Sequence, residues 1–431
     1  MASETKDAAP DTGAQRCLKD FAFPSPEVTA CPYPFYAALR AEAPVYKYPD
    51  RNDYLISRRD DIMAVLRNTE VFSNRTYLGD PRMLQGSQKG WVENPPHTPG
   101  TAIQTSFGLT ASDPPEHSIK RRALRSLVDP RYIRASEDTL RRIANELIDT
   151  FIHEGKCELR TQFADPLALL TICELAGYPP EDRAIFLGWN RIGTGHGRRY
   201  LTDEQRKAQD EDIPERDLYC AAIIRDRLAN PKDDFITGVV KAQVERDGEI
   251  NLPYLVSEIG LVLTAGNETT SRLVANVWKL LIENPSELKK VLDDRELIPN
   301  VIDEALRFEA PTQWTSRLVM QDTEVGGVPI PKGAYVLMLY GSANHDESWG
   351  DPEAFRVDRP GIPELNMAFG GGPHRCLGNA IAIAEGRIAL AVMLDRLKNP
   401  RFAPGHDAER ENIDNFQKRV PKQLHIEFDA Q

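Results

Sequence analysis

The stretch from Leu252 to Glu283 limits the possible folds more than any other part of the chain. It reads as one long helix, opened by Asn251 with Pro253 in its first turn. Apolar residues fall on several of its faces: Leu255, Ile259, Val262, Leu263, Leu273, Val274, Val277 and Leu280. A helix that is apolar all round is buried, so other elements must cover it. Yet its middle reads Ala265-Gly-Asn-Glu-Thr-Thr270. A glycine and a run of polar groups in a buried helix are costly without compensation. Gly266 lets the helix widen or a ligand approach its backbone. Thr269 is spaced to back-bond the Ala265 carbonyl four residues earlier. The run is either a polar face on a water pocket or part of a reactive site.

A second unusual stretch follows, Met367-Ala-Phe-Gly-Gly-Gly-Pro-His-Arg-Cys376-Leu-Gly-Asn-Ala380. Gly370 and Gly372 permit backbone angles and close approaches that a Cβ forbids, and Pro373 stiffens the turn. Asn379 to Leu397 reads as helix, with Ile381, Ala384, Ile388 and Val392 on one face. Cys376 therefore falls at a helix N-terminus, where unpaired N–H groups and the positive dipole end favour a thiolate. Gly378 would let a flat cofactor lie close to the backbone. A buried free cysteine beside a flexible loop is the plainer alternative. No G-x-G-x-x-G fits here, which excludes a dinucleotide loop.

At 431 residues the length alone allows two or three domains, but no linker, repeat or low-complexity array divides the chain. The sequence predicts a mobile tail over residues 1–20 and one domain over 21–431. A net charge of −12 argues against general nucleic-acid binding, which needs a basic face. The N-terminus lacks an apolar signal region, and no apolar run is long enough to span a membrane. Six scattered cysteines without C-x-x-C spacing read as reduced thiols of a cytoplasmic protein.

Along the chain, Pro34–Glu42 reads as helix, Val45–Tyr48 and Tyr54–Ser57 as a hairpin, and Arg59–Arg67 as helix. Residues 73–112 form a long Gly/Pro-rich loop with Trp91 as an apolar anchor, either a substrate-contacting loop or a mobile insertion. His117 and Arg121 share one face of the next helix, which by itself could be a solvated basic face. Helical periodicity covers Leu140–Ile152 and Phe163–Leu175, and the break Gly193–Gly197 suggests a lid between two helices. Pro299–Phe308 is helical and carries Glu304 and Arg307 three apart, a spacing common in exposed pairs. Thr312–Met320 is extended, and Thr323–Tyr340 reads as a tight hairpin and a buried strand.

Taken together these residues resemble the cytochrome P-450 family. Phe369 to Gly378 match its haem-ligand signature F-x-x-G-x-H-x-C-x-G, and Ala265 to Thr270 match its [AG]-G-x-[DE]-T-[TS] element. Asp113-Pro-Pro-Glu-His117 with Arg121, Glu304 with Arg307, Pro352–Arg359 and Ala343–Asp346 match further elements in the family's order, so the resemblance covers roughly Tyr33 to the end. It implies a mainly α fold with a smaller β region, a triangular helical prism with haem buried between the long central helix and the cysteine loop.

The resemblance also implies roles. Cys376 is the metal ligand of haem b, with Ala265, Gly266, Phe369 and Gly378 against the cofactor. His117, Arg121, Arg317 and His374 face its propionates. Glu268 and Thr269 steer protons during oxygen activation, and Glu304, Arg307 and Arg359 form a structural ion pair. Gln313 and Trp314 match substrate-facing positions, joined by Trp91. The implied function is a monooxygenase that inserts one atom of dioxygen into a C–H bond, by hydroxylation or oxidative demethylation, of a medium-sized, largely apolar molecule. The implied electron donor is an iron–sulfur ferredoxin with its NAD(P)H-dependent reductase, docking near Lys120, Arg122, Arg125 and Arg375, with no nucleic acid or membrane involved. A peroxide-driven peroxygenase and a non-enzymatic haem- or ligand-binding protein are the alternatives. The intact Glu268–Thr269 pair argues against the first, and the absence of a visible signalling segment against the second.

Overall fold

The computed structural model describes residues 16–80, 108–189, 200–211, 213–413 and 415–429. Leu252–Glu283 is one continuous helix of 32 residues. The Asn251 side chain accepts from the Tyr254 N–H at 3.1 Å, satisfying one of the free donors of the first turn. The helix packs against the helices Asp165–Ala176, Ile213–Ala229, Ile298–Phe308 and Asn379–Arg396. Its two halves serve different cores. Leu255, Ile259 and Leu263 pack with Ile172, Ile224 and Val239, whereas Leu273, Val277 and Trp278 pack with Ile143, Ile302 and Met393. The polar run Ala265–Thr270 lies between these two cores, where the apolar packing is interrupted.

The helix Arg59–Arg67 has the predicted bounds, and Tyr33–Glu42, Ile298–Phe308 and Asn379–Arg396 differ from expectation by one residue at one end. Two helices are displaced further. Glu137–Asp149 begins three residues early because Glu137 and Asp138 occupy its first turn, where the dipole favours acids. Asp165–Ala176 follows a single π turn, Arg160–Ala164. The tail expectation also stops short at its end. Leu18–Asp20 is a 3-10 turn, held by the Leu18 N–H on Glu42 Oε1 at 2.9 Å.

The main sheet has five strands: β1 (Val45–Lys47), β2 (Asp53–Ile56), β3 (Phe72–Ser73), β5 (Trp314–Val319) and β8 (Tyr335–Leu339), ordered β1-β2-β8-β5-β3. β2 runs parallel to β8, with Asp53 opposite Tyr335, and the other pairs are antiparallel. A small hairpin of β6 (Thr323–Val325) and β7 (Val328–Ile330) turns at Gly326 and Gly327, both at positive φ. A third sheet escaped the sequence reading. It pairs β4 (Lys156–Glu158) and β9 (Lys398–Phe402) on either side of β10 (His425–Asp429). This sheet ties His425–Asp429 back to Lys156–Glu158.

Candidate active site

A cavity of about 300 Å³ lies beside the polar run of the long helix. Ala265, Gly266, Glu268 and Thr269 line one side, and Phe369, Cys376 and Gly378 line another. The turn that carries Cys376 is fixed by close packing. Gly370 and Gly372 both sit at φ +64°, and a Cβ at Gly372 would fall 2.4 Å from the Leu66 carbonyl oxygen. The Cys376 N–H donates to the Phe369 carbonyl at 2.9 Å, and Asn379 Nδ2 donates to the Cys376 carbonyl at 2.8 Å. Nothing lies within 4 Å of a Cβ built on Gly378, which leaves the cavity floor open there. Cys376 itself is exposed to the cavity. Protein on its other sides raises the thiol by burial, against the Gly378 N–H, Arg121 and Arg375, which pull it down. The open side is the one a metal would take, and a bound cation deprotonates a thiol outright.

On the long helix, Thr269 Oγ1 donates to the Ala265 carbonyl at 3.0 Å. Glu268 Oε1 accepts from both Arg272 and Lys418. Burial pushes this carboxyl up, but the two cations outweigh it and hold it below the ordinary carboxylate range. Gly266 serves packing as well as access, since a Cβ there would press on Ile172 at 3.0 Å.

The cavity rim is cationic and under-partnered. Both ring nitrogens of His117 are buried without a hydrogen-bond partner among the described residues. Burial and then Arg121 lower His117 to about 4, so it is neutral at pH 7. Its ring lies 3.8 Å from that of His374, whose Nδ1 is 2.7 Å from Asn74 Nδ2. Arg317 is buried and donates to the Ser316 carbonyl at 2.8 Å, and neither it nor Arg121 has an ion-pair partner among the described residues. A buried cation such as Arg317 without a counter-charge is costly, so this rim is shaped for an anionic group.

The sequence model of the cytochrome P450 family matches residues 199–425. "Cytochrome P450 109" of Bacillus spizizenii is 32% identical over 376 residues, covering 84% of each chain. The chain belongs to the cytochrome P450 family. "Cytochrome P450 130" of Mycobacterium tuberculosis is 29% identical, over 88% of this chain and 91% of that one. The crystal structure of CYP109E1 from Bacillus megaterium superimposes with a TM-score of 0.80 at 27% identity, covering 94% of this chain and all of that one. P450s are haem-thiolate monooxygenases, and this chain is an enzyme of that kind.

The residues present fit the haem that the family implies. The thiol of Cys376, the open floor at Gly378 and the rim of His117, Arg121 and Arg317 offer a soft ligand, room for a flat ring and partners for two carboxylates. Behind the cysteine turn, Glu304 is fully buried and takes Arg307 bidentately at 2.7 and 2.8 Å and Arg359 at 3.2 Å.

Three expectations need correction. Gln313 and Trp314 do not face the cavity of this P450. Successive strand residues alternate, so Thr315 and Arg317 line the cavity while Trp314 turns into the aromatic cluster with Tyr200 and Phe416. Gln313 instead donates to the Ala310 carbonyl at 2.9 Å, and Thr312 takes the cavity position. Lys120 is not a docking residue, because it is fully buried and pairs with Glu116 at 2.8 Å. Arg122, Arg125 and Arg375 are exposed. Trp91 and the lid at Gly193–Gly197 lie outside the described residues.

Two site residues were missed. Lys418 comes from a charged segment with no periodicity, and only the long-range pairing of Thr312 with Lys418 delivers it. Glu385 also lines the cavity, and burial, opposed by Thr171, raises it to about 8. An acid between Ala384 and Ile388 on an apolar helix face was a readable signal.

Proposed function

We propose that the protein binds haem b through Cys376 and hydroxylates or oxidatively demethylates a C–H bond of a medium-sized, largely apolar substrate. The observation that carries this reading is one cavity bounded by Cys376 on one side and the Glu268–Thr269 pair on another. Haem supplies the one-electron and dioxygen chemistry, and a thiolate ligand favours O–O cleavage. The chain's own residues do the rest. His117, Arg121, Arg317 and His374 hold the propionates and fix the ring. Leu109, Leu261, Val262, Leu306 and Pro311 give the substrate apolar walls that exclude water. The Thr269 hydroxyl holds a proton or a water at the reacting side, and Glu268 relays protons to it from solvent.

A ferredoxin-type donor supplies the electrons, meeting the exposed Arg122, Arg125 and Arg375 on the side of the cysteine turn. Relatives support the substrate class. CYP109E1 is described in complex with testosterone, and P450BioI with a hexadecenoic acid ligated acyl carrier protein.

The reading is tested by spectroscopy and coupling. Cys376→Ser should abolish the thiolate-type Soret band of the reduced CO complex, and its survival would overturn the ligand assignment. Thr269→Ala should keep that band but divert electrons away from product, lowering the product formed per reductant by about tenfold. Tight coupling in that variant would remove the relay.

A further inference from the structure

We infer that Asn74 is a positioning residue for His374: it fixes which ring nitrogen of that histidine carries the proton, so that Nε2–H, and not a lone pair, is offered to a haem propionate. The inference rests on the haem-binding reading of the cavity. A neutral imidazole has one N–H and one lone pair, and the partner of one nitrogen decides the state of the other. Asn74 and His374 both line the cavity.

The amide of Asn74 has only one workable orientation. Its Nδ2 lies 3.2 Å from the Thr110 carbonyl oxygen and 2.7 Å from His374 Nδ1. The carbonyl can only accept, so the amide atom facing it is the NH2 group. A flipped amide would set two acceptors against each other there. The NH2 group has two hydrogens, one for Thr110 and one for His374. His374 Nδ1 therefore accepts, since an N–H on it would point at the amide hydrogens, and the ring proton sits on Nε2. Asn74 Oδ1 stays buried with no partner among the described residues, open to a donor from the cavity.

The asparagine is held firmly enough to impose this choice. It follows Ser73, the last residue of β3, which pairs with Leu318 beside Arg317. Asp113 grips the segment from the other side. Its Oδ1 accepts the Asn74 N–H at 2.8 Å, its Oδ2 the Ser73 hydroxyl at 2.5 Å, and its carbonyl the His117 N–H at 2.9 Å. One acid thus sets both Asn74 and the start of the helix that brings His117 and Arg121. The proton arrangement matters because a carboxylate gains a charge-assisted hydrogen bond from an N–H but is repelled by a lone pair. Arg121 and Arg317 are permanent cations and attract the propionates in any case. His374 can present either a donor or an acceptor, and Asn74 makes that choice.

The first measurement reads the proton directly. In the diamagnetic ferrous–CO form of the haem-loaded protein with isotope-labelled histidine nitrogens, NMR should show His374 with Nε2 protonated and Nδ1 bare, the signals assigned by their loss in His374→Phe. A protonated Nδ1 would overturn the inference on the unaltered protein alone, whether or not any Asn74 variant folds. Asn74→Asp offers His374 only acceptors, so it should place a proton on Nδ1, and an Nδ1 that stays bare would also count against the inference. Haem transfer to apomyoglobin should be about fivefold faster from Asn74→Ala than from the unaltered protein, the worth of about one hydrogen bond. In a His374→Phe background the same substitution should add nothing further. Equal accelerations in both backgrounds would show that Asn74 does not act through His374. The haem-binding reading fails separately, if the protein takes up no haem or gives no thiolate-type CO spectrum.

Discussion

Glu304 and Glu268 each bind two cations, yet the regions around them are built for opposite ends. Glu304 takes Arg307 and Arg359, and its Oε1 also accepts the Arg356 N–H at 2.9 Å. The guanidiniums are in turn saturated. Arg307 donates to the carbonyls of Asn344, Pro352 and Ala354, and Arg359 to those of Trp349, Asp351 and Ala354. Every strong donor there has a fixed acceptor, so the cluster can only hold the chain in place. Glu268 has two cations on one oxygen and borders a cavity. The lesson is that a buried ion pair is structural when its outer hydrogen bonds close on backbone, and adjustable when they open on a space that can fill.

The contrast can be broken at either end. Glu304→Gln should be the most damaging change, because it strands two buried arginines. A loss of about 3–5 kcal/mol is expected in denaturant unfolding, with the folded fraction still giving the thiolate CO spectrum. Activity lost at full stability would erase the distinction. Glu268→Gln should reverse the pattern. The product-forming rate should fall about a hundredfold, equivalent to about 2.7 kcal/mol, with a smaller loss of stability than in Glu304→Gln.

Glu385 sharpens the comparison with a smaller effect of defined sign. Its folded value of about 8 stands above the ordinary 4.5, so the folded state holds a proton that the unfolded state has lost. Its stabilising effect is therefore fully present below 4.5 and is lost as pH rises through 8. Glu268 is depressed, so its contribution is present above 4.5 and lost on acidification. Between pH 6 and 7, stability should fall by about 1.4 kcal/mol more in the original protein than in Glu385→Gln. A parallel fall in both proteins would deny that burial raises Glu385.

Much of this is legible in the sequence itself. The long helix was bounded at both ends because Asn251, Pro253 and a dense apolar pattern are local signals. The cysteine turn was readable because glycines at positive φ and a proline leave a dense local signature. Trp314 was misplaced although Arg317 fixed the strand's facing, since residues an odd number apart point to opposite sides. Lys120 looked solvated because a charge run usually is, and only its packing over the Tyr254 ring of the long helix shows that the side chain is buried. The sheet that pairs Lys156–Glu158 with His425–Glu427 joins three-residue stretches far apart in sequence, and no local pattern signals such a pairing.

The contact between Gly372 and Leu66 has a consequence for reading mutational scans of this molecule. A side chain at residue 372 would have to adopt φ +64° and also overlap a backbone oxygen of the helix Arg59–Arg67. All nineteen replacements should therefore score as badly as those at Cys376, though residue 372 touches no reactant. Positions 371 and 372 separate under a single remedy. Trimming the flexible Met63, which crowds Gly371, gives the turn room and can rescue substitutions at 371. No trimming of side chains can rescue residue 372, where the obstacle is backbone.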